Sequence, residues 1–134
     1  MRIYISGPIS DRLDGGIAAF SAASELIRSL GHTPVDPSIL PAPVPNPKHH
    51  DYLRRDLALL KKCQLVCVLE GWEDSSGSLR EIYFAGRQHI PCCLAEKLAL
   101  LLGPGTNFVS FCKAAPREPL LFELRTFPFS GERK

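Results

Sequence analysis

A doubly wound α/β sheet of about five parallel strands, with helices on both faces, is the fold this 134-residue sequence predicts. Two observations carry that expectation. The segments Leu65 to Leu69 (LVCVL) and Ile90 to Leu94 (IPCCL) have no polar residue, as strands buried on both faces require. Between such runs lie stretches with apolar residues at helical spacing, and this regular alternation of strand and helix is the mark of parallel crossover connections.

Taken in order, Arg2 to Ser6 (RIYIS) is a β-rich run ended by Gly7-Pro8, and Ile17 to Leu30 has the helical period before stopping at Gly31. Thr33 to Asp36 reads as a second short strand. The following PSILPAPVPNPK is too rich in proline for a helix or a central strand, so it is expected to be a long loop, placed as a lid would be. Asp51 to Lys62 is expected to be helical, Leu65 to Leu69 a strand, Ser78 to Gln88 a helix and Ile90 to Leu94 a strand. Beyond Leu102 the pattern weakens, with Phe108 to Cys112 read as a last strand and Pro119 to Phe127 as an extended packing segment. The whole is expected to be one domain over 1–134, of flavodoxin-like or Rossmann-like type, with 103–134 a divergent C-terminal segment.

Composition narrows the function. A net charge of +2, evenly spread, argues against a nucleic-acid polymer as partner and favours a small molecule. No apolar run approaches the roughly 20 residues that span a bilayer, and the N-terminus lacks a signal-peptide layout, so a cytoplasmic protein is expected. The five cysteines show no C-x-x-C pair and lie mostly in apolar stretches, as reduced buried thiols do. His49-His50 has no second ligand pair at a useful spacing, so neither a metal nor any other cofactor is expected.

In a doubly wound sheet the functional residues follow the carboxyl ends of strands. Glu81 lies at such an edge. Ser78-Leu79-Arg80-Glu81 also has the form of a capping box, in which Glu81 would fold back on the helix start. At a positive helix end the carboxylate is expected to be ionised, as a nucleophile must be. Asp56 falls inside the apolar arc of its helix, where a carboxylate must be paired, protonated or directed into a cavity. It is either a structural carboxylate or an acid with a shifted pKa. Tyr4 reads equally as a core aromatic or a site residue, and Trp72 as a base-stacking platform or a cover for the core. The first loop, Ser6, Gly7, Pro8, Ile9, Ser10 and Arg12, matches no phosphate-binding fingerprint. Even so, Gly7 permits close backbone approach, and Ser10 and Arg12 can donate hydrogen bonds. Gly71, Trp72, Ser75, Gly77 and Ser78, in and after the third-strand loop, complete the candidate binding set.

Together IYISGPIS, DYLRRDLALLKKC and GWEDSSGSLREIYFA, in that order, resemble the nucleoside 2-deoxyribosyltransferase-like superfamily over about residues 1 to 95. The likeness is strongest to a branch common in phages and prophages. The resemblance implies that Glu81 is a nucleophile on C1′ of a nucleoside or nucleotide, Asp56 its acid partner and Tyr4 the residue that orients Glu81, while the Gly7-Pro8 loop bears on the sugar or phosphate. Transferases of the family carry an acidic residue where Ser75 stands. The branch that hydrolyses 2′-deoxynucleoside 5′-monophosphates has a phosphate-contacting serine there, so the resemblance implies an N-glycosidase of a (deoxy)nucleoside 5′-monophosphate. The alternatives are a deoxyribosyltransferase, a protein that sequesters a nucleotide or ADP-ribose-like ligand, and an interaction protein using the Pro-rich loop and PLLFELRTF. Ile82 stands where the family often has a glycine, and no C-terminal pattern of the family is found in 103–134. A homodimer or higher homo-oligomer is expected.

Overall fold

The structure, a computed structural model, describes residues 1–9 and 16–103. Four strands, β1 (Arg2–Ser6), β2 (Thr33–Val35), β3 (Leu65–Val68) and β4 (Cys92–Leu94), form a parallel sheet in the order β2-β1-β3-β4. The helices are α1 (Ile17–Ser29), α2 (His49–Leu60), α3 (Ser76–Arg87) and α4 (Ala95–Leu102). The doubly wound α/β class is as expected, with four strands among the described residues rather than about five. The segments Phe108 to Cys112 and Pro119 to Phe127 lie outside those residues. The sequence reading did not single out α4, which follows β4 without a loop.

Strand periodicity builds the two layers. Ile3 and Ile5 of β1, Leu65 and Cys67 of β3, and Cys93 of β4 pack with Phe20, Ala23 and Ile27 of α1 and Leu98 and Leu101 of α4. The intervening Tyr4, Val66, Val68, Cys92 and Leu94 pack on the other face with Leu60 of α2 and Ile82 and Ala85 of α3. Successive side chains leave a strand on opposite faces, so strands covered on both sides must be apolar throughout. Cys63, Cys67, Cys92 and Cys93 are buried thiols inside these layers, and burial pushes the Cys67 thiol up to about 12.

α1 ends in a Schellman turn. Gly31 adopts φ 86°, its N–H donates to the Arg28 carbonyl at 2.9 Å, and the His32 N–H donates to the Ile27 carbonyl at 3.1 Å. The left-handed conformation explains why the helical pattern stops at a glycine. After β2, Asp36 accepts from the N–H and hydroxyl of Ser38 and starts a short 3-10 turn, Pro37–Ile39. No helix or strand intervenes from there to His49. The proline-rich loop is therefore real, although α2 begins two residues earlier than its apolar period indicates. Lys48 donates its N–H to Asp51 at 2.9 Å and so sets that start.

β1 is the strand from which the chain winds outward in both directions, to β2 on one side and to β3 and β4 on the other. The crevice beyond the carboxyl ends of β1 and β3 is the switch point at which such sheets bind ligands. Among the described residues no helix is long and apolar enough to cross a membrane.

Ser24 is 5% exposed within α1, and its hydroxyl has no partner among the described residues. Ser24→Ala removes a desolvated hydroxyl and adds helix propensity. Chemical denaturation is expected to show stability raised by about 1 kcal/mol.

Candidate functional site

Tyr4 and Ser6 are two residues apart on β1 and therefore leave the sheet on the same face, toward α3. On α3 the buried residues Ser78, Glu81, Ile82 and Ala85 follow the helical period, so Glu81 points back at the sheet. The Tyr4 hydroxyl donates to Glu81 Oε2, and the Ser6 hydroxyl donates to Oε1 at 2.6 Å. Both carboxylate oxygens are thus held from one strand, and Glu81 is only 6% exposed.

This arrangement corrects the capping-box expectation. α3 starts at Ser76 rather than Ser78, and its cap is Ser75, whose Oγ accepts from the Ser78 N–H at 3.2 Å. Glu81 is more than a turn inside the helix, beyond the reach of the terminal partial charges that were expected to keep it ionised. Burial instead pushes its carboxyl from the ordinary 4.5 to about 7, with the Ser6 and Tyr4 hydroxyls pulling it back and the nearby Asp56 carboxylate adding to the rise. Tyr4 is held well above its ordinary value by burial and then by the neighbouring Glu81, so it stays a neutral donor.

Glu81 borders a cavity of about 550 Å³, a size typical of small-molecule sites. Gly7, Pro8 and Ile9 after β1 form one wall, and Ser75, Gly77 and Ser78 form another. Asp56 enters from α2, 8% exposed, and accepts from Arg55 Nε at 2.9 Å. Burial raises the Asp56 carboxyl above its ordinary range, and the Arg55 guanidinium opposes that rise. Two buried carboxylates close enough to influence one another thus face one cavity.

The remaining sequence candidates fall into distinct places. Tyr4 and Ser6 reach the cavity through Glu81. Trp72 is 7% exposed and belongs to the core cluster that includes Tyr4 and Ile82, which is the core-covering alternative. Gly71, with φ 90°, starts the short turn Trp72–Asp74 and is not in the cavity wall. A Cβ on Gly7 would lie 2.8 Å from Leu69 Cβ, so the glycine is needed for packing under the loop. Ser10 and Arg12 lie outside the described residues.

Sequence reasoning missed Ser38, Leu40, His49, Tyr52 and Arg55, which bring the proline-rich loop and the start of α2 to the cavity. One signal was available: Tyr52 belongs to the apolar arc of α2 yet is 40% exposed at the cavity. An aromatic at the edge of an arc that also contains a carboxylate indicates a face that is not wholly core. Among the described residues no group of three or more His, Cys, Asp or Glu side chains is placed to hold a metal ion.

The elevated Glu81 titration has a consequence for stability. A carboxyl raised on folding contributes stability that is complete below its unfolded value and is lost as pH rises through its folded value. Relative to Glu81→Gln, the wild type is expected to lose on the order of 3 kcal/mol between about pH 4.5 and about pH 7. Denaturant melts of both proteins across that range check it; parallel pH profiles contradict it.

The architecture is shared with known proteins. The 2-deoxyribosyltransferase of the psychrotolerant bacterium Bacillus psychrosaccharolyticus, described as a biocatalyst for synthesis of antiviral and antitumoral nucleosides, superposes with a TM-score of 0.56. The sequences are 22% identical, and the match covers 70% of this chain and 71% of that one. A 2-deoxyribosyltransferase from Leishmania mexicana superposes with a TM-score of 0.55 at 16% identity, covering 84% of this chain and 97% of that one. At these identities the likeness is one of fold. No curated protein matches the sequence. A family model described as a domain of unknown function, DUF4406, matches residues 1–93, a span that contains β1, β2, β3, the first two residues of β4 and the two buried cavity carboxylates, Asp56 and Glu81. The chain belongs to the DUF4406 family.

Proposed function

We propose that this chain is an enzyme, an N-glycosidase that cleaves the N-glycosidic bond of a (deoxy)nucleoside 5′-monophosphate with Glu81 as nucleophile. The observation that carries this reading is Glu81 itself, a buried carboxylate held through both oxygens at the switch-point cavity, with a second buried carboxylate, Asp56, facing the same space.

In the first step a Glu81 oxygen attacks C1′ and the C1′–N bond breaks through an oxocarbenium-like transition state. The electron pair leaves with the base, and Asp56 supplies the proton that the departing nitrogen takes up. In the second step water attacks C1′ of the glycosyl ester, gives its proton to the Asp56 carboxylate and releases Glu81. Tyr4 and Ser6 are positioning residues that fix the direction of the carboxylate. Holding both oxygens before the substrate arrives removes a reorientation from the barrier.

The phosphate end is assigned to Ser75 and Gly77 at the N-terminus of α3, opposite the Gly7 to Ile9 loop, where exposed helix N–H groups favour an anion. Ser10 and Arg12 belong to the same proposed subsite. Transfer of the glycosyl group to a second base instead of water is the alternative that the names of the structural neighbours favour. The proposal extends to one domain over 1–134 acting as a cytoplasmic homodimer, which sedimentation of the purified chain tests.

The test is incubation of the protein with each nucleoside and nucleoside 5′-monophosphate, followed by chromatography for free base. Glu81→Ala is expected to reduce base release more than roughly 10³-fold, and Asp56→Asn about 10²- to 10⁴-fold. Base release that survives Glu81→Ala overturns the mechanism, and a ligand bound but recovered intact points to sequestration.

The pH profile is expected to be bell-shaped. The active pair has Glu81 ionised and the proton on Asp56; the rate falls in acid when both are protonated and in alkali when both are ionised. Coupling between the carboxylates makes the two limbs properties of the pair. A rate that keeps rising through the alkaline range contradicts the assignment of Asp56 as acid.

A further inference from the structure

The proline-rich segment reaches the cavity through Pro37, Ser38 and Leu40. Five of its twelve residues, Pro37, Pro41, Pro43, Pro45 and Pro47, have no backbone N–H. Such a strap has few N–H groups of its own, so a tie to the body of the protein runs through its carbonyls to a donor on that side. Arg55 is that donor: its Nη1 donates to the Pro41 carbonyl at 2.5 Å and its Nη2 to the Pro37 carbonyl at 3.4 Å. Its Nε donates to Asp56 Oδ1 at 2.9 Å, and its guanidinium lies 5.6 Å from the centroid of the Tyr52 ring.

Arg55 and Asp56 are consecutive on α2, and consecutive helical residues leave the axis about 100° apart, so they do not ordinarily face each other. The arginine must fold across the helix to meet its neighbour, and in that fold its planar fork reaches the strap. Asp36 fixes only the first turn of the strap, through Ser38.

We propose that Arg55 is a positioning residue that ties the proline strap to Asp56, so that one guanidinium sets both the wall of the cavity and the carboxylate inside it. The inference deepens the glycosidase reading and rests on it for the role of Asp56. The geometric tie itself does not depend on turnover. Arg55 on its own helix is the charged group that acts on Asp56, Asp56 in turn raises Glu81 of α3 and Tyr4 of β1, and His49 and Asp74 border the same cavity. Arg55 is the one cation paired with it among the described residues.

Arg55→Gln and Arg55→Lys separate the two halves of the tie. Lysine keeps the charge but is a single point donor that cannot span two carbonyls and a carboxylate together. With Arg55→Gln, exchange of the Ser38 and Leu40 amides, which are hydrogen-bonded N–H groups of the strap, is expected to accelerate about tenfold, the Asp56 carboxyl resonance to titrate at higher pH, and KM to rise roughly tenfold. With Arg55→Lys the strap is expected to exchange faster and KM to rise, while the Asp56 titration stays near wild type. Asp56→Asn, which leaves the arginine in place, is expected to loosen the strap as well.

Unchanged strap exchange and unchanged Asp56 titration in Arg55→Gln overturn the proposal. So does an acceleration spread equally over the sheet, which signals a merely structural loss. If Arg55→Gln does not fold, Arg55→Lys and Asp56→Asn decide by the same exchange readout. Exchange and titration are measured without substrate. Absence of base release from the wild type therefore removes the glycosidase reading, while these two measurements still decide the tie.

Discussion

A carboxylate taken almost wholly out of water has to find its hydrogen bonds inside the protein, and Glu81 finds them on β1. Tyr4 and Ser6 deliver hydroxyls to its two oxygens because they share a face of the strand, and that face looks at α3 because β1 and β3 pair in parallel with Tyr4 opposite Val66 and Ser6 opposite Val68. A one-residue slip of the pairing would turn both hydroxyls to the α1 side and leave Glu81 buried among apolar groups. The phase of α3 is equally constrained. Ser75 caps it, and from that start residues 78, 81, 82 and 85 face inward.

The cost of this burial is a carboxyl whose titration approaches neutrality, and the same displacement suits the chemistry proposed. A carboxylate stripped of water is a better nucleophile toward a centre that develops positive charge, since the charge separation it completes is not screened. Asp56 adds a second acid within electrostatic reach, so that the pair retains a proton over a range in which isolated carboxylates have lost theirs. Arg55 limits how far Asp56 follows Glu81 upward. The site is thus an arrangement of two acids held differently, one by neutral hydroxyls and one by a cation.

Much of the fold was legible because it follows from local rules. Apolar runs without alternation meant strands covered on both sides, and the helix that stops at Gly31 does so for the left-handed turn that only glycine adopts cheaply. The oddity of Asp56, an acid within an apolar arc, was visible in the helical period alone. The start of α3 was not legible, since Ser75, Ser76 and Ser78 are all acceptable caps by residue type. The short turn Trp72–Asp74 decides among them by delivering the chain at Ser75 with an extended backbone. The three-residue difference between a cap at Ser78 and one at Ser75 converts Glu81 from a capping side chain into a buried one. Trp72 was ambiguous for a similar reason: its ring fits a core or a ligand equally, and only its burial within the core layer on the α2 and α3 side of the sheet separates the two.

What the sequence determined by itself is therefore the set of elements and their alternation, the class of sheet, the edge at which a ligand belongs and the two acids worth watching, because each depends on spacing within one segment. What only the tertiary structure decided is which groups meet across segments. Ser6 holds Glu81, separated from it by 75 positions in the chain, and Arg55 joins a strap 14 to 18 positions earlier to the acid beside it. Such meetings depend on strand order, helix phase and the path of a proline-rich connection, none of which has a period that a single segment can display.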